Sequence, residues 1–110
     1  MLLLNVKLLK FAGFTQQKEG TGWIYPDGTF CYDVPVFTCS LDACFKWLWP
    51  KLKGRNKAIY FAFEGDGLCT CEIEISGFME QPYGASESAK DSTPELAFCV
   101  ALEKLIDTYF

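Results

Sequence analysis

Residues Ser92–Phe110, STPELAFCVALEKLIDTYF, are the clearest part of the sequence and indicate what the rest of the chain must provide. Thr93 followed by Pro94 predicts a helix start, because a threonine hydroxyl can accept an amide of the first turn and proline suits the first helical position. Apolar residues then recur at helical spacing on one stripe, which consists of Phe98, Leu102, Leu105, Ile106 and Tyr109 with Cys99 on its flank. This amphipathic helix requires an apolar surface to pack against.

Two alternating runs upstream predict such a surface. In Lys57–Glu64 and again in Cys69–Ile75, apolar and polar side chains alternate, which is typical of strands with one buried face. Gly65-Asp66-Gly67 lies between the runs and favours a tight connection, so the two strands are predicted to form a hairpin. The cysteines and isoleucines of the second run then share one apolar face, while its polar residues share the other.

A further hairpin is predicted earlier in the chain. Gly22–Tyr25 and Thr29–Val34 are rich in aromatic and β-branched residues, and Pro26-Asp27-Gly28 between them has the composition of a tight turn. Pro35 ends or weakens the second strand, since proline cannot donate to a ladder. The polar run Thr15–Gly20 that precedes this hairpin is predicted to be a connection.

Two more helices and one long loop are predicted. Leu2–Ala12 has helix-forming composition, although a strand over its first few residues stays open because the apolar residues surround the whole cylinder. Ser40 is the predicted N-cap of a central helix, and Pro50 predicts a kink or an early stop near Trp49. Gly77–Asp91 has little apolar content and is predicted to be a mobile loop.

Composition and charge bound the class of protein. The chain has 110 residues, half of them apolar, which predicts one domain over residues 1–110. It contains no apolar run long enough to span a bilayer, so we expect no contact with a membrane. Fourteen acidic against ten basic residues give a net charge of −4, which disfavours direct binding to nucleic acid. The start of the chain lacks the pattern of an export signal, so we expect a cytoplasmic location and reduced thiols at the six cysteines.

Several short motifs resemble one protein family. They are Trp23–Gly28, Ser40-x-Asp42 with Trp47 on the following helix, Cys69-x-Cys71-Glu72, and Asp91–Pro94 leading into Leu96–Cys99. Together they resemble the phage ABA sandwich domain family, which comprises small proteins encoded by phages and prophages. With the elements predicted above, this resemblance implies an α/β (α+β) fold arranged as an α/β/α sandwich: about three helices on an antiparallel-rich sheet of about four strands from two hairpins. The family brings no established activity and no catalytic residues to carry over, and Pro50 departs from its longer central helix.

The residue types that carry chemistry do not form a recognisable catalytic or metal-binding pattern. The chain has no histidine, which removes the usual base for a serine or cysteine nucleophile. Cys69 and Cys71 point to one side of a strand, as two zinc ligands would, yet the isoleucines that continue this face favour thiols packed in a core. The acidic residues around the second hairpin could hold magnesium, but a solvated strand face is the preferred interpretation. No cofactor or metal is predicted.

A binding role is therefore the main hypothesis, with acidic and aromatic residues as its anchors. The candidate partner-binding residues are Glu64, Asp66, Glu72, Glu74, Trp47, Trp49 and Tyr60. We expect a non-enzymatic phage or prophage accessory protein that binds a host protein in the bacterial cytoplasm, as an inhibitor of a CRISPR-type defence nuclease, without direct contact to nucleic acid or membrane. A small-ligand or nucleotide-binding sponge, a structural phage protein, an enzyme and a homodimer stay open, as does plain core packing of the aromatic residues.

Overall fold

The computed structural model describes residues 2–17, 22–52, 56–77 and 84–109. Its backbone contacts divide the chain into two compact units, Met1–Lys51 and Leu52–Phe110. Each unit combines helix with antiparallel strands, which confirms the mixed α+β class. The described strands form two three-stranded sheets, whereas one sheet of about four strands was predicted. One domain over residues 1–110 stays a prediction.

The first unit begins with helix α1, Leu2–Phe11, so the helical interpretation of the N-terminus is confirmed. A small antiparallel sheet of order β1-β2-β3 follows, with strands β1 (Thr15–Gln16), β2 (Trp23–Ile24) and β3 (Phe30–Cys31). The predicted hairpin is present, with shorter strands than expected. Thr15 and Gln16 were wrongly predicted to be part of a connection: they pair with β2, Gln16 opposite Trp23. Residues 18–20 of that connection lie outside the described residues.

A polar side chain on α1 holds the irregular segment that precedes the central helix. Asn5 Nδ2 donates to the Pro35 carbonyl at 3.0 Å, and Asn5 Oδ1 accepts the Phe37 N–H at 2.8 Å. The Cys44 thiol donates in turn to the Phe37 carbonyl at 3.2 Å. Phe37 is fully buried, so the bonds to its N–H and its carbonyl satisfy backbone groups that water does not reach.

The central helix begins where the sequence predicts, but it becomes irregular at Cys44, several residues before the predicted kink near Trp49. Ser40 Oγ accepts the Ala43 N–H at 3.2 Å, which is the expected N-cap bond. After the single α-helical turn α2 (Leu41–Ala43), the chain widens to a π-helix over Cys44–Leu48 and tightens to a 3₁₀ turn over Trp49–Lys51. Pro50 explains the irregularity, because its ring and its missing N–H are incompatible with a regular α-helix.

The second unit is a three-stranded antiparallel sheet with one helix on it. Its strands are β4 (Asn56–Phe63), β5 (Cys69–Ser76) and β6 (Ala85–Asp91), in the order β4-β5-β6, followed by helix α3 (Pro94–Tyr109). The predicted hairpin is confirmed by the pairing of Ile59 with Ile73 and its continuous register. The predicted cap of α3 is also present, because Thr93 Oγ1 accepts the Leu96 N–H at 3.2 Å.

Strand β6 corrects the prediction of a mobile loop over Gly77–Asp91. Residues 85–91 pair with β5 along their whole length, from Ala85 opposite Ile75 to Asp91 opposite Cys69. The strand buries only small side chains, Ala85 and Ala89, and for that reason its alternation carries little apolar signal. Residues 78–83, which include Pro82 and Tyr83 of the predicted loop, lie outside the described residues.

The core of the second unit is the inner face of this sheet, on which α3 packs. Cys69, Cys71, Ile73 and Ile75 are buried, as the alternation of β5 predicts. From α3, Phe98, Leu102 and Leu105 of the predicted stripe are fully buried, together with Ala97, Cys99 and Ala101. All six cysteines of the chain are thiols, and only Cys39 is exposed while Cys31 is half-buried. The prediction that the cysteines serve as small core residues is therefore confirmed for Cys44, Cys69, Cys71 and Cys99, and it is wrong for Cys39.

Candidate partner-binding face

The second sheet has an outer face, opposite α3, which is mainly polar and combines small side chains with Tyr60, Glu72, Glu74 and Lys90. Strand alternation places on it every second residue of each strand. The outer face comprises Asn56, Ala58, Tyr60 and Ala62 from β4, Thr70, Glu72, Glu74 and Ser76 from β5, and Ser86, Ser88 and Lys90 from β6. Most of these side chains are exposed, and none is buried.

Two carboxylates lie side by side at the centre of the outer face. The register places Glu72 between Tyr60 and Ser88, and Glu74 between Ala58 and Ser86. A hydrogen bond that protonated Glu74 donates to the Glu72 carboxylate, partial desolvation and the charge of Glu72 together raise the pKa of Glu74. Like charges are thus held next to each other on an exposed surface. A positively charged group placed beside them would reduce their electrostatic repulsion.

The predicted acidic residues Glu64 and Asp66 lie apart from this pair, at the turn between β4 and β5. Thr70 Oγ1 donates to Glu64 Oε1 at 3.5 Å, while Asp66 Oδ1 accepts the Leu68 N–H at 3.0 Å. Asp66 Oδ2 also lies 3.3 Å from Lys90 Nζ. The Leu68 amide and Lys90 hold the pKa of Asp66 below its usual range. Local contacts therefore account for Asp66 as a residue that shapes the turn.

The predicted aromatic anchors divide between the two units. Tyr60, 55% exposed, lies on the outer face beside Glu72. Trp47 belongs to the first unit, where its ring centroid is 5.1 Å from that of Phe14 and 5.6 Å from that of Tyr25. Trp49 stacks edge to face with Phe45, centroid to centroid 6.1 Å. Each tryptophan thus takes part in an aromatic cluster of the first unit, and the outer face carries Tyr60 as its aromatic residue.

Sequence reasoning missed a cavity at one end of the outer face. It has a volume of about 350 Å³ and lies where the start of β4, the end of β5 and the start of β6 meet. Its lining consists of Asn56, Lys57, Ala58, Glu74, Ile75, Ser76, Gly84, Ala85 and Ser86. A side chain at Gly84 would place its Cβ 2.9 Å from the Ile75 carbonyl oxygen, so the close approach of the chain there depends on glycine. The serines that alternate along β6 are the sequence signal for this strand, but the sequence analysis assigns them to the predicted loop Gly77–Asp91.

The lining combines donors and acceptors in a small space. Lys57 supplies an ammonium group, Asn56 an amide, and Ser76 and Ser86 hydroxyls, while Glu74 supplies a carboxylate. Within the described ranges, histidine, cysteine and acidic side chains form no group of three or more that could share a metal ion. Among those same residues, no helix has the length and apolar character needed to cross a membrane.

Comparison of the chain with protein-family models, with curated proteins and with solved structures finds no match. The fold and the outer face define a small α+β protein with an acidic, open sheet surface. The resemblance to the phage ABA sandwich family stays a prediction.

Proposed function

We propose that this chain is a non-enzymatic phage or prophage accessory protein whose outer face binds a basic surface of a host protein. The observation that carries the proposal is the pair Glu72 and Glu74, held together on an exposed sheet face with a raised Glu74 pKa. An arginine or lysine of a partner would stabilise both ionised carboxylates, and an arginine can do so with two parallel hydrogen bonds.

The surroundings of the pair favour a macromolecule as the partner. Ala58 and Ala62 on one side and Ser86 and Ser88 on the other leave the backbone accessible to a broad surface. Tyr60 adds an exposed aromatic ring next to Glu72, and tyrosine is a common anchor of protein interfaces. The net charge of −4 speeds encounters with a basic partner at low salt.

A bacterial defence nuclease of the CRISPR type has the basic surface that this proposal requires. Such effectors hold nucleic acid in a positively charged channel. An acidic protein surface placed in that channel would compete with the phosphates for the same side chains, and so would prevent cleavage without any catalysis of its own. The α/β/α sandwich architecture and the membership of the phage family belong to this same proposal.

The test is cleavage of target DNA by a purified CRISPR effector nuclease loaded with its guide RNA. We expect the wild-type chain to slow cleavage, and Glu72→Lys/Glu74→Lys to raise the concentration needed for half inhibition at least tenfold. Asp33→Lys/Asp107→Lys makes the same change of net charge at residues outside the outer face, and it should inhibit like the wild type. An inactive wild-type chain contradicts the nuclease as partner. Equal losses in both variants contradict the outer face as the binding surface.

A second candidate function is favoured by the cavity. Its 350 Å³ lies within the range of small-molecule sites, and its polar lining suits a ligand with an anionic group for Lys57 and a donor for Glu74. Native mass spectrometry of the freshly isolated protein should then show an adduct. Ser86→Phe, which fills the cavity, should remove the adduct, whereas Ser88→Phe, on the same face but outside the lining, should retain it. A wild-type spectrum of the bare chain alone contradicts this candidate.

A further inference from the structure

The first hairpin, formed by β2 and β3, buries one of its faces and exposes the other. Its inner face carries Trp23, which is 7% exposed, and Tyr25, whose ring centroid lies 4.7 Å from that of Phe14. Strand alternation places Ile24 and Phe30 on the opposite face. Phe30 is 44% exposed and Ile24 is 36% exposed. The exposed face is thus apolar, and its side chains are adjacent to each other, not scattered.

Tyr32 extends this exposed face by one more ring. It follows Phe30 by two residues, and the two rings meet edge to face with their centroids 5.0 Å apart. Tyr32 is 69% exposed although it makes this contact. Ile24, Phe30 and Tyr32 together form a surface that we call the hairpin patch.

Two features of the hairpin hold the Phe30 ring in one place. A Cβ added at Gly22 would collide with this ring, so the ring lies directly on the backbone of the glycine. Ile24 lies directly opposite Phe30. Because the next pair, Tyr25 and Thr29, is bonded through its backbone, the pair before it is of the closer, non-hydrogen-bonded type. The hairpin patch is therefore ordered before a partner arrives, which lowers the entropic cost of binding.

The surroundings of the hairpin patch are acidic. Asp27 lies in the turn at one end of the hairpin, Asp33 follows Tyr32 at the other end, and both aspartates are exposed. Hydrogen bonds from Thr29 hold the pKa of Asp27 below its usual range, so its carboxylate is charged at neutral pH. The segment Gly22–Phe45 contains no lysine and no arginine. A partner on this patch therefore meets negative charge at both ends of an apolar surface.

We propose that the hairpin patch docks a segment of another protein that carries apolar side chains between basic ones. The apolar side chains cover Ile24 and Phe30, and a lysine or arginine at each end pairs with Asp27 or Asp33. The two aspartates are at most about 20 Å apart along the chain, at ~3.3 Å per residue, so an extended segment of about six residues reaches both. A second copy of the patch fits less well, because it would bring like charges together.

Binding of short peptides tests the chemistry of the partner. The probes are three fluorescein-labelled nonapeptides, KKGLFLGKK, KKGSGSGKK and EEGLFLGEE, and fluorescence anisotropy measures their binding. We expect the wild-type chain to bind the first at least tenfold more tightly than the other two, because only the first combines an apolar centre with basic ends. Failure to bind the first peptide, or equal binding of either of the others, overturns the proposal.

Two exposed aromatic residues test the location of the binding surface. Tyr32→Ser should weaken binding of KKGLFLGKK at least fivefold, whereas Phe63→Ser, at a residue of the second unit that is 74% exposed, should leave it unchanged. Because both rings are mostly exposed, both variants should keep the wild-type Tm. Equal effects of the two substitutions overturn the proposal. A wild type that dimerises in sedimentation velocity and becomes monomeric in Tyr32→Ser identifies a second copy as the occupant, and it also overturns the proposal.

Charge reversals separate the hairpin patch, in the first unit, from the proposed function of the outer face, in the second. Asp33→Lys/Asp107→Lys should weaken binding of KKGLFLGKK at least fivefold and still inhibit the nuclease. Glu72→Lys/Glu74→Lys makes the same change of net charge, and it should bind the peptide like the wild type and lose inhibition. Loss of peptide binding in the second variant alone assigns the peptide to the outer face and overturns the proposal. A wild-type chain that binds the peptide and does not inhibit the nuclease supports the hairpin patch and contradicts only the proposed function.

Discussion

Two aspartates stabilise the two hairpin turns in the same way. Asp27 Oδ1 accepts the Thr29 N–H at 2.8 Å, and Asp66 Oδ1 accepts the Leu68 N–H at 3.0 Å. In both turns the next residue is a glycine with positive φ, +92° at Gly28 and +84° at Gly67. The flanking residues close each loop through a backbone bond of 2.8 Å. An Asp-Gly pair in a three-residue loop thus determines where each strand pair begins.

Replacement of Gly67 by alanine should destabilise the second hairpin through backbone conformation alone. No atom lies within 4 Å of the added Cβ, so the expected loss in unfolding free energy is the left-handed penalty of about 1–2 kcal/mol. Gly65→Ala is the matched control, because Gly65 has equal space without a positive φ, and it should be neutral or slightly stabilising. Urea unfolding of the two variants measures the difference. Equal effects would contradict this account of the turn.

The pKa of Glu74 predicts an unusual pH dependence for one surface residue. Because the folded state raises this pKa above its ordinary 4.5, the folded protein binds the proton more tightly than the unfolded chain. The favourable contribution of Glu74 to the free energy of unfolding is complete below pH 4.5, and it is lost as the pH rises through the raised pKa. Glu74→Gln should therefore increase Tm at pH 7, and the gain should disappear toward pH 4. Thermal unfolding from pH 4 to 8 checks this, with Glu64→Gln as control. A gain that persists at pH 4 would argue against proton linkage.

At the scale of elements, strand β6 shows how a strand can escape detection by pattern. Its buried positions are alanines, which face Ile75 and Cys71 of β5, and its exposed positions are serines and a lysine. The contrast in hydropathy between its two faces is small. By comparison β5 alternates cysteine and isoleucine with threonine and glutamate, and its strand is evident from the sequence. The difference lies in side-chain size, because β6 contributes alanines to the layer beneath α3 where β5 contributes isoleucines and cysteines.

Leucine substitutions in β6 should distinguish a strand from a loop. Ala89→Leu forces extra methylene groups into the layer beneath α3 and should cost about 1–3 kcal/mol of unfolding free energy. Ser88→Leu, one residue earlier on the exposed face, should change stability by less than about 0.5 kcal/mol. Chemical unfolding measures both. Similar small effects at the two positions would indicate that residues 85–91 do not pack as a strand.

At the scale of the whole molecule, thiol reactivity measures which cysteines lie in the core and which lie at the surface. Cys44, Cys69, Cys71 and Cys99 are buried, and burial also raises the pKa of the Cys69 thiol. A thiol reagent at pH 8 should modify Cys39 rapidly, Cys31 more slowly, and the buried group only after unfolding. Cys39→Ser should remove the fast phase. Rapid modification of more than these two thiols in the native protein would contradict the assignment of the cysteines to the core.

The local elements of this protein are determined by its sequence alone. Alternation and helical spacing indicate β4, β5 and α3, and capping and turn residues such as Ser40, Thr93 and the Asp-Gly pairs give their ends, because each depends on residues close in the chain. The shared face of Tyr60, Glu72 and Glu74 follows from that alternation and the short turn between the strands. Only the tertiary structure decided the rest: the division into two sheets, strand β6 and the cavity. Each of these depends on pairing between distant segments, where the size and position of small side chains, not their hydropathy, determine what fits.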